Sequence, residues 1–197
     1  MNALQNTLPT ATVMDDASPG SVHLREPETA IIGSIRYATG NSTLGKILVA
    51  SSDRGVCAVL FGDDERTLET ELATVYPKAK LDERAAALRQ LLAQVTALVE
   101  APARGFDQPL DVGGTKFQQR VWQALREIPA GRTASYADIA ARIGRPDAVR
   151  AVGSACAANV LAIAIPCHRV IKSDGAPSGY RWGAERKRVL LQREARA

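Results

Sequence analysis

The chain has 197 residues, 46% of them hydrophobic, enough for one mid-sized domain or two small ones that fold without covalent staples. Three cysteines, with no CxxC pair and no Cys/His ligand spacing, argue against a disulfide framework and a structural zinc site, and imply a reducing, cytoplasmic setting. The net charge of +4 conceals an asymmetry: residues 1–100 hold 9 Lys and Arg against 13 Asp and Glu, whereas residues 101–197 hold 16 against 8, the footprint of a protein that presents one side to a polyanion.

Met1 to Gly20 lacks both a basic n-region and a continuous apolar h-region, and no stretch approaches the roughly 18 apolar residues of a membrane span. A soluble, unexported monomer with no membrane partner is expected. Residues 1–30 are rich in Thr, Ser, Pro, Asn and Asp without periodicity and read as a disordered arm, with His23 an incidental surface residue. From Ile31 the pattern turns to β: Ile35 and Tyr37 flank Arg36, and the runs 45–50 and 56–61 are joined by the polar, Gly-ended link 51–55, a β-hairpin signature. Cys57 is then a core thiol on a strand. Leu68, Leu72 and Val75 predict a helix from about Asp64 to Tyr76. Leu81, Ala85, Leu88, Leu92, Val95 and Val99 predict a second, broken at Ala101-Pro102. Residues 31–112 thus form an α/β support subdomain, helices on a small antiparallel sheet.

Residues 113–197 form a second, mostly helical domain. Thr115 and Gln118 make a capping box before the stripe Phe117, Val121, Trp122, Leu125 and Ile128. Ser135 and Asp138 start a short helix ended by Gly144, and Arg145-Pro146-Asp147 opens another in which Ala148, Val149, Val152 and Ala155 face inward. Two short helices joined by a Gly-containing turn suggest a helix-turn-helix. The later helix is nearly all small residues, Ala151 and Ser154 among them, which lets its backbone lie close against a helix or a groove of DNA; Arg150 is its one long cation.

The apolar run 161–166 ends in Cys167-His168-Arg169. A thiolate is the nucleophilic form of cysteine, and a neighbouring base and cation favour it. Pro166 fixes its own backbone and pushes its predecessor to an extended form, so the run reads as a strand that stops where the thiol is presented. A bare Cys-His dipeptide is better read as a structural thiol beside a core histidine, and the rest of the chain tips the balance toward chemistry. Arg186-Lys187-Arg188 reads as a solvated helix face, and Glu194 as a solvated charge near a helix end.

Tyr136, Arg150, the tract 154–159, Pro166-Cys167-His168-Arg169-Val170 and the segment 178–183 together resemble the O6-alkylguanine-DNA alkyltransferases, in particular the repair domains of bacterial adaptive-response members, from about Ile35 to the C-terminus. The resemblance implies a ribonuclease-H-like front section and no cofactor. It also implies a self-inactivating, single-turnover reaction in which double-stranded DNA carrying O6-alkylguanine or O4-alkylthymine yields its alkyl group to Cys167. His168 would take the thiol proton through a water, oriented by Glu194. Tyr136 would assist departure of guanine, and Asn159 would be the hinge beside the cysteine. Arg150 would fill the space of the flipped nucleotide, on a helix that meets DNA with Ala151, Ser154 and Tyr136. Ser178, Gly179, Tyr180 and Trp182 would line the substrate pocket. Mammalian relatives that accept benzyl groups carry a small residue where Trp182 stands and a proline at the place of Ala162. The cysteine-rich, metal-binding regulatory part of the adaptive-response members has no counterpart in this sequence, so no transcriptional role is expected. Two other readings are a non-catalytic binder of alkylated DNA, whose relatives replace the nucleophile that Cys167 provides, and a Cys-His hydrolase.

Overall fold

The computed structural model describes residues 20–27, 29–84, 86–175 and 179–196. The front half is built on a sheet whose centre is the hairpin expected from the sequence, β3 (Gly45–Ser52) and β4 (Gly55–Gly62). Both strands are near-continuous apolar runs because both faces are covered. Ile47 to Ala50 and Val56 to Phe61 are all buried. Gly55 closes the link with φ 145°, where a Cβ would lie 2.5 Å from the Pro109 carbonyl oxygen. β2 (Ser34–Ser42) pairs antiparallel with β3. Helix α1 (Glu65–Val75), capped by the Asp64 side chain on the Thr67 N–H at 2.8 Å, packs on β3 and β4 through Leu68 and Leu72.

The sheet is mixed rather than antiparallel. Among the described residues it has six strands in the order β1-β6-β4-β3-β2-β5, where β1 (Val22–Leu24), β5 (Lys80–Glu83) and β6 (Leu110–Val112) join by parallel pairing. Two expectations give way to this pairing. The helix predicted from Leu81 begins only at Arg89, as α2 (Arg89–Glu100), because the main chain around Leu81 hydrogen-bonds to the open edge of β2; Ala85 lies outside the described residues. The arm expected over residues 1–30 is part of the fold from Gly20 onward. Leu24 and its neighbours pair with β6, the Arg25 N–H donates to the Val112 carbonyl at 2.9 Å, and Arg25 forms a buried ion pair with Asp111 at 3.0 Å. Its composition is polar, but its backbone finds a strand to satisfy it. Residues 1–19 lie outside the described residues, and His23 is exposed on β1.

The second half is helical. The predicted capping boxes start α3 (Lys116–Arg126) at Thr115 and α4 (Tyr136–Arg142) at Ser135. α5 (Val149–Ala157) starts four residues after Arg145, so Val149 falls in its first turn and is 37% exposed instead of facing inward, while Val152 and Ala155 are buried. The indole N–H of Trp122 donates to the Ala155 carbonyl at 2.8 Å, fastening α3 to α5. α6 (Ala184–Glu194) closes the chain. It holds the two halves together: Arg186 donates to the Leu44 carbonyl at 2.7 Å, and Arg193 to the Val99 carbonyl at 2.6 Å. Among the described residues no helix is long and apolar enough to cross a membrane.

Candidate active site

Beyond α5 the chain turns back on Asn159, which is 1% exposed. Its Oδ1 accepts from the Leu161 N–H at 2.9 Å, while Nδ2 donates to the Ile165 carbonyl at 2.9 Å and to Cys167 Sγ at 3.2 Å. One side chain therefore shapes the following loop and aims a donor at the thiol. The run 161–166 is not the predicted strand. Only Leu161 bridges to Val59, and tight turns follow, with Ile163 at φ 65°. A β-branched residue there costs about 1–3 kcal/mol, which the asparagine bonds and burial on all sides must offset.

Cys167, His168 and Arg169 form one 3-10 turn, all three buried. Glu194, the last residue of α6, meets them from 26 residues away: its Oε1 lies 2.8 Å from His168 Nε2. Arg169 grips the same carboxylate with Nε at 3.0 and 3.1 Å and Nη2 at 2.9 Å, and its Nη1 donates to the Ile128 carbonyl at 2.6 Å. The Gly131 N–H adds a bond to Oε2 at 3.2 Å. Burial alone would raise the Glu194 pKa, but the hydrogen bonds from His168 and Arg169 and the charge of Arg169 prevail and hold it at about 2. Burial pushes His168 below its ordinary value, so the ring is neutral and Arg169 supplies the lasting countercharge. An ionised carboxylate only accepts, so the His168 proton sits on Nε2 and Nδ1 is left as a base. That Nδ1 is buried with no hydrogen-bond partner among the described residues. Burial pushes the Cys167 thiol up to about 11, against the Asn159 bond and the charges of Lys187 and Arg181. The resting sulfur is protonated, and a base must activate it.

The solvated face expected for Arg186-Lys187-Arg188 holds only for Arg188. Lys187 is 2% exposed and donates to the Val170 carbonyl; Arg186 is half-buried against the front half. A signal for Lys187 was present in the sequence, because Lys187, Leu190 and Glu194 share one face of a helix and all three are buried. The clamp role of Arg169 had no such signal, since it depends on a carboxylate 25 residues away.

β7 (Ala134–Ser135) pairs with β8 (Val170–Ile171), Ala134 opposite Val170. This ties the start of α4 to the end of the Cys-His-Arg turn, and Tyr136, half-buried, follows directly, its ring about 4 Å from where a Cβ on Gly153 would stand. Arg150, Ala151 and Ser154 lie on the exposed side of α5. Of the expected pocket residues, Ser178 lies outside the described residues and Gly179 is exposed. Tyr180 and Trp182 stack edge to face at 5.2 Å, Trp182 also meets Phe61 at 6.2 Å, and Trp182 is buried, 4% exposed. Among the described residues no group of three or more His, Cys, Asp and Glu could hold a metal ion.

Comparison with known proteins agrees with this geometry. Residues 35–112 match the model for the ribonuclease-like domain of 6-O-methylguanine DNA methyltransferase, and residues 116–196 the model for its DNA binding domain. The chain is 52% identical over 162 residues to the bifunctional transcriptional activator/DNA repair enzyme Ada of Escherichia coli, an alignment over 82% of this chain and 46% of that one. It thus spans about half the length of the Ada proteins it matches. It is 39% identical to the methylated-DNA--protein-cysteine methyltransferase of Methanosarcina acetivorans, over 80% of this chain and 97% of that protein. The structure of Mycobacterium tuberculosis OGT in complex with DNA superposes with a TM-score of 0.65 at 38% identity, covering 82% of this chain and 93% of that one. With both domain models matched in order and a buried Cys-His-Glu arrangement in the second, the chain belongs to the 6-O-methylguanine DNA methyltransferase family.

Proposed function

We propose that this chain repairs double-stranded DNA carrying O6-alkylguanine by irreversible, stoichiometric transfer of the alkyl group to Cys167. The observation that carries the reading is the thiol's setting: a donor from Asn159 on the sulfur, and beside it a neutral His168 whose Nε2 is committed to an ionised Glu194. His168 Nδ1 takes the thiol proton through a water, the sulfur attacks the alkyl carbon in line, and the S–C bond forms as the C–O6 bond breaks. Guanine leaves with a proton that Tyr136 helps deliver, and a thioether remains. A thioether offers water no route back to the thiol, so each molecule acts once.

In this reading α4 and α5 are a helix-turn-helix joined through Gly144, whose φ is 70°. α5 presents Arg150, Ala151 and Ser154, small residues that admit close approach and one cation that replaces the flipped nucleotide. Flipping costs a few kcal/mol of unstacking, least for a damaged base. Gly179, Tyr180 and Trp182 line the pocket that receives it.

The test is mass spectrometry after mixing the protein with O6-methylguanine duplex. A lasting gain of one CH2 on the peptide bearing Cys167 is expected. Binding without mass gain would favour a damage binder, and release of product in excess of protein a hydrolase; either result overturns the proposal.

A further inference from the structure

Arg181 lies between Tyr180 and Trp182 in the chain and reaches two elements at once. Its Nε and Nη2 bond Glu71 Oε1 at 3.0 and 2.7 Å, and its Nη1 donates to the Ala157 carbonyl at 2.9 Å. The guanidinium lies 6.0 Å from the Trp182 ring centroid. Glu71 belongs to α1 of the ribonuclease-like domain, and Ala157 is the last residue of α5, so the contact spans 110 residues on one side and 24 on the other.

Stability does not account for this arrangement. The two side chains are 28% and 26% exposed, and half-exposed pairs contribute little on average. Geometry accounts for it better. The carbonyls of a last helical turn lack intrahelical partners, and a cation there is favoured by the helix dipole. A guanidinium can serve that carbonyl and a carboxylate at once through separate nitrogens, which an ammonium does with less fixed direction. The charge of Arg181 also favours the thiolate of Cys167, which places it within electrostatic reach of the sulfur.

We propose that Arg181 is a positioning residue that locks the end of the DNA-contacting helix α5 to the pocket wall, with Glu71 of the ribonuclease-like domain holding the guanidinium in place. The front domain then takes part in the reaction: seating α5 on duplex sets the pocket through the Ala157–Arg181–Glu71 contact. This rests on the repair reading above.

The experiment compares the wild-type chain with Arg181→Ala, Glu71→Ala, the double variant and Arg188→Ala, an exposed cation paired with Glu185 on α6. Single-turnover rates of methyl transfer are measured from O6-methylguanine duplex and from the free modified base, with duplex affinity measured in the Cys167→Ala background. Arg181→Ala and Glu71→Ala should each slow duplex transfer about tenfold or more, as small misplacements of reacting groups do. The free base should be affected less, affinity should hold, the double variant should be no slower than Arg181→Ala, and Arg188→Ala should match the wild type. Glu71→Ala keeps the cation and removes both acceptor oxygens at a partly exposed helix position, so it reports even where Arg181→Ala folds poorly. A wild-type rate for Glu71→Ala, a rate loss that tracks lost affinity, or equal losses on both substrates would each overturn the proposal. Absence of methyl uptake by the wild-type chain would instead overturn the repair reading.

Discussion

Two of the three buried thiols, one from each half, show what separates a packed cysteine from the proposed acceptor. Cys57 lies on the central strand β4, 0% exposed, and burial followed by the carboxylate of Asp111 pushes its pKa up to about 12. Cys167 is 4% exposed and is pushed up to about 11 by burial as well. The resting pKa values are similar, so depressed acidity is not what distinguishes them. The surroundings are. Cys57 has the Tyr76 hydroxyl and the Arg25–Asp111 ion pair near it but no imidazole acting on it, whereas Cys167 accepts a hydrogen bond from Asn159 and is followed by an imidazole whose other nitrogen is fixed by an ionised carboxylate. The front half buries one ion pair, Arg25 with Asp111, in mostly aliphatic packing; the second half buries His168, Arg169, Lys187 and Glu194 together. Buried charges are tolerated only when paired, so such a cluster marks where chemistry has displaced packing.

The comparison breaks most sharply at the sulfur itself. Cys167→Ala should abolish methyl uptake while the protein still binds methylated duplex, and Cys156→Ala should keep uptake. Methyl label on Cys57 or Cys156 of the wild-type protein, read by peptide mass spectrometry, would show that burial and base were misassigned.

Next in size is the carboxylate. Glu194→Gln leaves the Arg169 guanidinium buried beside a neutral amide and should cost about 3–5 kcal/mol, read from denaturation midpoints, with slower transfer as well. The wild-type protein should show the same dependence through pH. A carboxyl held at about 2 when folded, below its ordinary 4.5, contributes stability above 4.5 and loses it as pH falls toward 2. His168 acts in the same direction, because its folded pKa is depressed and the unfolded chain takes up that proton first below pH 6.5. Midpoints unchanged between pH 6.5 and 3 would contradict both assignments. With neutral His168 as the proposed base, the transfer rate is expected to hold level down to pH 6.5 and fall only below it.

Arg150→Ala alters an exposed side chain, so stability should change by about 0.5 kcal/mol or less. Repair in duplex should nevertheless slow about tenfold or more while reaction with the free modified base changes little, because only duplex requires flipping. Equal losses on both substrates would remove Arg150 from that role. At the pocket wall, free O6-benzylguanine should inactivate the protein poorly. Trp182→Gly should raise that sensitivity at a stability cost of about 3–5 kcal/mol, since the indole is buried against Phe61 and Tyr180. Efficient inactivation of the unmodified chain would show the indole to be no obstacle. The smallest effect belongs to Cys57→Ala: a loss of about 1 kcal/mol with methyl uptake intact, a difference in midpoint alone.

Much of this was legible in the sequence, and unevenly. The hairpin at 45–62 and the caps at Thr115 and Ser135 come from signals a few residues long, and each element starts where its signal stands. Of the candidate site, Cys167 and His168 are adjacent in the chain and directly legible. Glu194 enters only through the family resemblance, for on its own residues it reads as a solvated charge. The strand expected before Cys167 failed because Asn159 satisfies that loop with its side chain, which relieves the backbone of any need for a ladder. β1 and β5 were missed because neither has strong strand composition; each exists through the edge it pairs with.

Taken alone, the sequence determined where the side-chain-capped helices begin, which runs are core, and which dipeptide joins a thiol to an imidazole, because caps, periodicity and adjacency act over three or four residues. Tertiary structure alone decided which charges are buried and what they serve. Lys187 and Glu194 point inward because Val170, His168 and Arg169 wait there to accept or donate, and Arg181 becomes a link only because Glu71 stands opposite it from another domain. A long charged side chain is solvated by default, and only a partner brought from far along the chain can outweigh the cost of removing it from water.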